Sequence, residues 1–195
     1  GVKRKSRFWV FDDDCEIMLN TPTEDFEETG KVKKSPITEE SFSQMLIDVE
    51  EAIDSGYSHG AIGTTVNNPI GKYPHINNSR ILSNVWYDGA VLCDKIPKID
   101  WLLDGAEDFF VNLQLLTSGY ANRIIYKYVV SPSVSQAEGG CSEYRDIDFH
   151  NEACMKLVKA FPEFVTLKEK KTKSGPWAGI TKFGIIGKWK KAYAS

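Results

Sequence analysis

Three consecutive carboxylates, Asp12-Asp13-Asp14, close the apolar run Arg7-Phe-Trp-Val-Phe11. Adjacent carboxylates repel one another, and three at the end of an apolar strand are costly unless a cation or a set of donors neutralises them. An all-oxygen set of this kind suits Mg²⁺ or Mn²⁺, ions that keep several waters and are usually shared with substrate phosphates; an exposed acidic turn is the plain alternative. A second acidic pair, Glu107-Asp108, falls in the first turn of an expected helix, where the dipole holds a carboxylate ionised and positioned as a general base requires. The same placement also serves as simple capping of that helix. The stretch Gly139-Gly140-Cys141-Ser142 with Tyr144 and Arg145 is a third candidate, its glycines allowing close approach to a ligand and Arg145 offering a guanidinium to a phosphate. His150 is a candidate metal ligand or acid, although a lone histidine early in a helix is more often structural. His59 and His75 carry less, and neither a dinucleotide-binding glycine fingerprint nor a phosphate-binding Walker loop is present.

These groups need a frame. The run Arg7 to Phe11 has the continuous apolar character of a buried central strand, Cys15 to Leu19 resumes as a strand, and Thr21 to Ser35 is polar and reads as a mobile loop. Thr38 can cap a helix whose stripe is Phe42, Met45, Leu46, Val49 and Ile53, with Gly56 after its last turn. His59 to Val66 reads as a strand of small residues, Asn67 to Ser79 as a long loop, and Arg80 to Leu92 as a hairpin turning at Asp88-Gly89. A helix over Ala106 to Ser118 stops at Gly119, followed by a β-rich strand over Asn122 to Val130 and a Ser/Gly-rich loop over Ser131 to Cys141. Ile147 to Phe161 reads as a helix ended by Pro162, and the Lys-rich remainder as one or two strands. Alternating strands and helices predict an α/β layering around a mostly parallel central sheet flanked by helices.

A chain of 195 residues, 42% hydrophobic and 26% charged, has the composition of one folded domain over 1-195 and excludes disorder as the main state. No apolar run approaches the roughly 20 residues that span a bilayer, and the charged start Gly1-Val-Lys-Arg-Lys lacks the apolar core of a secretory signal. The expectation is therefore an intracellular, cytoplasmic protein without a membrane partner. Cys15, Cys93, Cys141 and Cys154 share no zinc-ligand spacing and read as free thiols. The net charge of -3 is unevenly spread: ten lysines stand against Glu163 and Glu169 from Met155 onward, and the rest of the chain carries the acidic excess. A polyanionic partner is thus expected at the Lys-rich segment 156-195, where Lys188, Lys190 and Lys191 are interleaved with Trp189. A solvated basic face over a core tryptophan is the alternative.

Taken together, the strand ending in Asp12-Asp13-Asp14, the Glu107-Asp108-Phe109 helix start with Asn112-Leu-Gln-Leu-Leu116 and Gly119-Tyr120, Asn122-Arg123, the Gly139 to Ser142 segment with Tyr144-Arg145, Trp177, and Trp189-Lys190-Lys191 resemble the TET-associated glycosyltransferases. These are nucleotide-sugar enzymes of the GT-A fold, found largely in phages and as a domain of some animal proteins, and the resemblance runs from Arg7 to Tyr193. It implies metal-dependent sugar transfer from a nucleotide-diphosphate donor, a UDP-sugar, with Mn²⁺ or Mg²⁺ and with hydroxymethylated pyrimidine in DNA as acceptor. Asp12 and Asp14 match the DxD ligands, Asp108 the acid of the ED motif with Glu107 beside it, and Gly139, Gly140, Ser142 and Arg145 a substrate-binding segment. In GT-A enzymes a nucleotide-binding half precedes the DxD strand. Only eleven residues precede Asp12 here, so the resemblance implies a chain lacking that half, supplied by another chain or an upstream segment, and a host-cytoplasmic setting if phage-encoded. A metal-dependent nuclease or phosphatase, and a non-catalytic binding domain of the same fold, are the competing readings.

Overall fold

The computed structural model describes residues 6–12, 15–64, 70–81, 84–91, 105–132, 146–172 and 178–195. Strands β1 (Arg7–Val10), β2 (Cys15–Pro22), β3 (Val32–Pro36), β4 (His59–Thr64), β5 (His75–Asn77), β6 (Val85–Asp88) and β7 (Asn122–Pro132) form one sheet. Its order is β1-β6-β4-β7-β2-β3, with β5 paired to β7 off that path. Helices α1 (Phe26–Thr29), α2 (Glu39–Asp54), α3 (Glu107–Thr117), α4 (Ile147–Ala160) and α5 (Trp189–Tyr193), and a separate ribbon of β8 (Val165–Lys171) with β9 (Thr181–Gly187), complete the described chain. Among the described residues no helix is long and apolar enough to cross a membrane.

The α/β layering is as expected, but the sheet is not mostly parallel. Only β4 and β7 pair in parallel; every other pairing among the described residues is antiparallel. The physical reason is connectivity. Parallel neighbours need a long crossover, and α3 makes that return to β7, whereas β2 and β3 fold back directly and β6 inserts antiparallel between β1 and β4. Among the described residues the strand expected at the centre, β1, lies at the sheet edge, with Val10 and the following Phe11 exposed. Its apolar run is satisfied by rings rather than by a second neighbour: Phe8 packs on Tyr87 on one face, and Trp9 meets Trp86 edge-on at 4.8 Å on the other.

Thr21 to Ser35 is no loop. It holds the end of β2, α1 and most of β3, and Gly30 (φ 65°) closes α1 by donating its N–H to Phe26 O at 2.7 Å. Lys33 and Lys34 disguise β3 because an edge strand tolerates, and often needs, charge. Within Asn67 to Ser79, the short β5 pairs with β7. After β6 the chain does not return as a hairpin among the described residues; Ala90 N–H bonds Asp88 Oδ1 at 2.8 Å, and β6 takes β1 and β4 as neighbours.

The secure helices follow from local chemistry. Thr38 Oγ1 accepts from Ser41 N–H at 3.2 Å and Ser41 Oγ accepts from Thr38 N–H at 2.8 Å, a reciprocal cap that starts α2. Met45, Val49 and Ile53 then bury its stripe. Helix α3 is sandwiched: Val111 and Leu115 face the sheet, while Leu113 and Leu116 face α4, the ribbon and α5 with Leu157, Val165 and Ala192. Each fully buried leucine contributes about 2 to 3 kcal/mol, so α3 is held by both layers.

The crowded centre of β4 depends on small residues. A Cβ at Gly63 would stand 2.5 Å from the Tyr126 ring, beside the register shift between Ile62 and Gly63. Gly63→Ala is therefore expected to destabilise by about 1 to 3 kcal/mol, read as a lower urea midpoint; an unchanged midpoint would mean that Tyr126 yields freely.

Candidate functional site

Strands β1, β4 and β7 run the same way, since β4 and β7 are parallel and β1 and β4 are both antiparallel to β6. They finish at one sheet end, where the start of β2 joins them through the pair Cys15↔Pro132. Ligands in open α/β sheets bind outside such strand ends. Asp12 stands there, exposed, one residue past Phe11. Its N–H donates to Asn84 Oδ1 at 3.3 Å, Asn84 Nδ2 donates to Cys15 Sγ at 3.4 Å, and the Cys15 thiol donates to Asp12 O at 3.3 Å. Asn84 is buried with φ 55°, a left-handed conformation that asparagine tolerates better than most residues. It ties the exit of β1 to the entry of β2, a role the sequence reading missed.

Asp13 and Asp14 lie outside the described residues, as do Gly139, Gly140, Cys141, Ser142, Tyr144 and Arg145. Among the described residues no group of three or more His, Cys, Asp or Glu side chains is placed to hold a metal. Asp12 alone therefore represents the triad, as an exposed oxygen donor of the type a hard cation takes.

The second acidic pair is where the spacing placed it, in the first turn of α3. Asp108 Oδ1 accepts from Phe109 N–H at 2.8 Å. The Arg80 guanidinium lies over the Phe109 ring at 4.8 Å, and that ring stacks on Trp189 at 5.8 Å. Desolvation pulls the pKa of Arg80 down while the charge of Asp108 pulls it back up. Burial pushes Tyr126 up against the lowering effect of Arg80, and pushes Tyr87 up with Asp108 adding to the shift. Asp108, Arg80, Tyr87 and Tyr126 thus share one electrostatic neighbourhood. The cationic partner, Arg80, was not singled out from sequence.

One helical turn beyond Asp108, Asn112 anchors a buried polar network. Its Oδ1 accepts from Asn122 Nδ2 at 2.7 Å and sits 2.9 Å from His59 Nε2; the structure therefore assigns the Nε2–H tautomer, leaving Nδ1 to accept from Ser58 Oγ at 2.7 Å. Asn112 Nδ2 and Asn122 Nδ2 both donate to Ser79 O, at 3.0 and 2.9 Å, and Asn122 Oδ1 accepts from Ser79 N–H at 3.0 Å. Helix α3, the starts of β4 and β7, and the residue before Arg80 are locked together. His59 is completely buried, and burial holds its pKa at about 4, with the Asn112 hydrogen bond opposing. An asparagine among leucines in Val111-Asn112-Leu113 was the available signal, because a buried amide must find partners.

His150 Nε2 bonds Phe183 O at 2.8 Å and ties α4 to β9. His75 sits on β5 with its pKa lowered by partial burial and then by Arg123. The exposed Lys188, Lys190 and Lys191 line a groove of about 380 Å³ together with Asn78 and Ser79. Trp189 between them is partly buried: it packs against the Leu113–Leu116 cluster and also lines the groove.

No family model matches the chain, and no solved structure matches it. It is similar to the Beta-glucosyl-HMC-alpha-glucosyl-transferases of Enterobacteria phage T2 and Enterobacteria phage T6, each 32% identical over 163 residues, covering 80% of this chain and 56% of the relative. The chain spans about half the length of these curated relatives.

Proposed function

We propose that this chain is the acceptor- and metal-binding part of a glycosyltransferase of GT-A type that adds a glucosyl group to a hydroxyl carried on hydroxymethylcytosine in DNA. The observation that carries the reading is the 32% identity to proteins named as glucosyltransferases over 80% of the chain. Asp108 is the base. As the acceptor oxygen bonds the anomeric carbon of a UDP-sugar, the bond from that carbon to the donor phosphate breaks, its electron pair leaves with the diphosphate, and the hydroxyl proton passes to the Asp108 carboxylate. Arg80 favours the ionised carboxylate, Glu107 supports the helix start, and the Asn112 network fixes the α3 backbone beneath both. Asp12, with Asp13 and Asp14, would hold Mn²⁺ or Mg²⁺, an ion that stabilises a diphosphate leaving group when bound. Gly139, Gly140, Ser142 and Arg145 are proposed to bind the substrate, and Lys188, Lys190 and Lys191 to meet the DNA. A nucleotide-binding half would extend the sheet from β1, whose pairing among the described residues is with β6 alone.

The test supplies UDP-glucose, Mn²⁺ and DNA carrying glucosylated hydroxymethylcytosine to the chain, alone and joined to the further segment its longer relatives carry. Labelled glucose should enter the DNA from the joined protein, and chelation or Asp12→Ala should abolish both incorporation and Mn²⁺ binding by calorimetry. Cleavage of the DNA with metal and no donor would favour a nuclease instead, and Mn²⁺ binding undiminished in Asp12→Ala would remove this residue from the metal site.

A further inference from the structure

The turn that leads into Arg80 has hydrogen-bonding groups to spare. Asn78 takes a left-handed conformation (φ 50°), its N–H donates to Asn122 O at 3.0 Å, and its Oδ1 accepts from Asn122 N–H at 3.2 Å. Ser79 enters the buried amide network through its backbone alone, its C=O and N–H bonding Asn112 and Asn122. The turn is therefore pinned, yet Asn78 Nδ2 and Ser79 Oγ make no hydrogen bond among the described residues. Both residues line the groove with Lys188, Lys190 and Lys191. Lys188 and Lys190 are exposed, and their ammonium groups make no ion pair or hydrogen bond among the described residues. Lys191 Nζ lies over the Phe164 ring at 5.7 Å, a contact that leaves its charge uncancelled. None of the residues lining the groove is acidic.

A concave site of ammonium groups and neutral donors, with no carboxylate among them, is complementary to a phosphate. We infer that the groove seats a phosphodiester of the acceptor DNA strand, with Asn78 Nδ2 and Ser79 Oγ fixing its position while the lysines supply the charge. This rests on the reading above that the acceptor is carried on DNA. The DNA backbone fits the groove better than the diphosphate of the sugar donor does. A diphosphate shares a divalent ion whose protein ligands are carboxylates, and the groove has none. Its volume of about 380 Å³ is at the low end of small-molecule sites and more than a bare ion needs. The groove also reaches the proposed base through one aromatic ring. Trp189, which lines it, stacks on Phe109 at 5.8 Å; Phe109 follows Asp108, and the Arg80 guanidinium, next after Ser79, lies over the same ring at 4.8 Å. A strand held by its phosphate at Ser79 is thereby registered against Asp108. Phosphate contacts carry no base information, so the grip is independent of sequence.

The experiment measures the affinity of the 195-residue chain for an unmodified DNA duplex of about two helical turns, by fluorescence anisotropy against salt. Lys188→Gln with Lys190→Gln should lower the slope of log affinity against log salt by about 1 to 2, at about 0.9 per lost phosphate contact. Ser79→Ala removes one neutral donor and none of the backbone bonds of the network. It should weaken binding about tenfold at every salt concentration, with the slope and the urea midpoint unchanged. Asn78→Asp keeps the Oδ1 acceptor and a residue type that tolerates the left-handed turn, but sets a negative charge in the groove; its loss of affinity should be largest at low salt. Wild-type affinity in both folded variants would overturn the assignment, as would a loss in Ser79→Ala matched by a lower urea midpoint, the mark of a turn that only supports the fold. UDP-glucose with Mn²⁺ should leave the duplex bound; displacement of the duplex, or weakened UDP-glucose binding in Ser79→Ala, would give the groove to the donor instead. In the joined protein Ser79→Ala should raise KM for the DNA and not for UDP-glucose. Transfer by the joined wild type, with undiminished DNA affinity in both variants, removes the groove and leaves the proposed function standing; weakened DNA binding in the variants without transfer by the wild type does the reverse.

Discussion

Asp108→Asn is expected to slow single-turnover glucosyl transfer by 10² to 10⁴, about 3 to 5 kcal/mol in the barrier, while donor and metal affinity stay near wild type. The substitution isolates the proton-accepting role because its amide keeps an oxygen for the Phe109 N–H, so the cap on the first turn of α3 survives. Helix geometry separates Glu107 and Asp108 by about 100°, and only one of them can face an acceptor. Asp108 is electrostatically coupled to Arg80 and Tyr87. Rates measured with pre-bound donor, alongside donor affinity, decide the matter. Near wild-type transfer by the Asn variant, or a loss of donor binding equal to the loss of rate, would remove Asp108 from the role of base.

The second large effect concerns stability. His59 has a folded pKa of about 4 against an ordinary 6.5. Above pH 6.5 both folded and unfolded chains hold it neutral. Below that, the unfolded chain takes up a proton that the folded chain refuses until about pH 4, so stability is lost progressively as the pH falls through this window. Between pH 7 and pH 5 the loss attributable to His59 is about 2 kcal/mol. His75, whose pKa is also lowered, adds in the same direction. Urea unfolding at pH 7, 6 and 5 should show this slope, and His59→Gln should flatten most of it even if it lowers stability overall, because the comparison is between slopes. A wild-type stability that is level from pH 7 to 5 would contradict a neutral, buried His59.

What the sequence disclosed follows from the range over which each feature is decided. The cap at Thr38, the stripe of α2, the stop at Gly119 and the acidic first turn of α3 are settled within a few residues, and they lie where periodicity and capping put them. Strand direction is settled between distant segments: β1 reads as central because its residues are apolar, yet aromatic rings cover both of its faces while one edge stays free of a described neighbour. The polar strand β3 was hidden for the converse reason. The site divides the same way. Asp12 and Asp108 were legible as carboxylates at an apolar strand end and a helix start, whereas Arg80, Asn84 and the His59–Asn112–Asn122 network acquire their roles only when segments dozens of positions apart meet; His59 and Asn112 are 53 residues apart.

The place of β1 bears on how the chain is made as well as on how it works. Its partner across the ladder is β6, where Val10 meets Val85 and Arg7 meets Asp88. Arg7-Phe-Trp-Val-Phe11 emerges from the ribosome long before that partner exists, and an apolar segment awaiting a distant ladder pays loop-closure entropy before any contact rewards it. During that interval the segment is a sticky, unpaired strand of the kind that chaperones recognise and that nucleates aggregation. The strands β8 and β9, by contrast, lie near each other in the sequence and can pair soon after both are synthesised. Synthesis therefore leaves β1 waiting for its ladder far longer than β8 waits for β9, and replacing the exposed Val10 or Phe11 with a polar residue should reduce aggregation during expression more than a comparable change on β8 or β9.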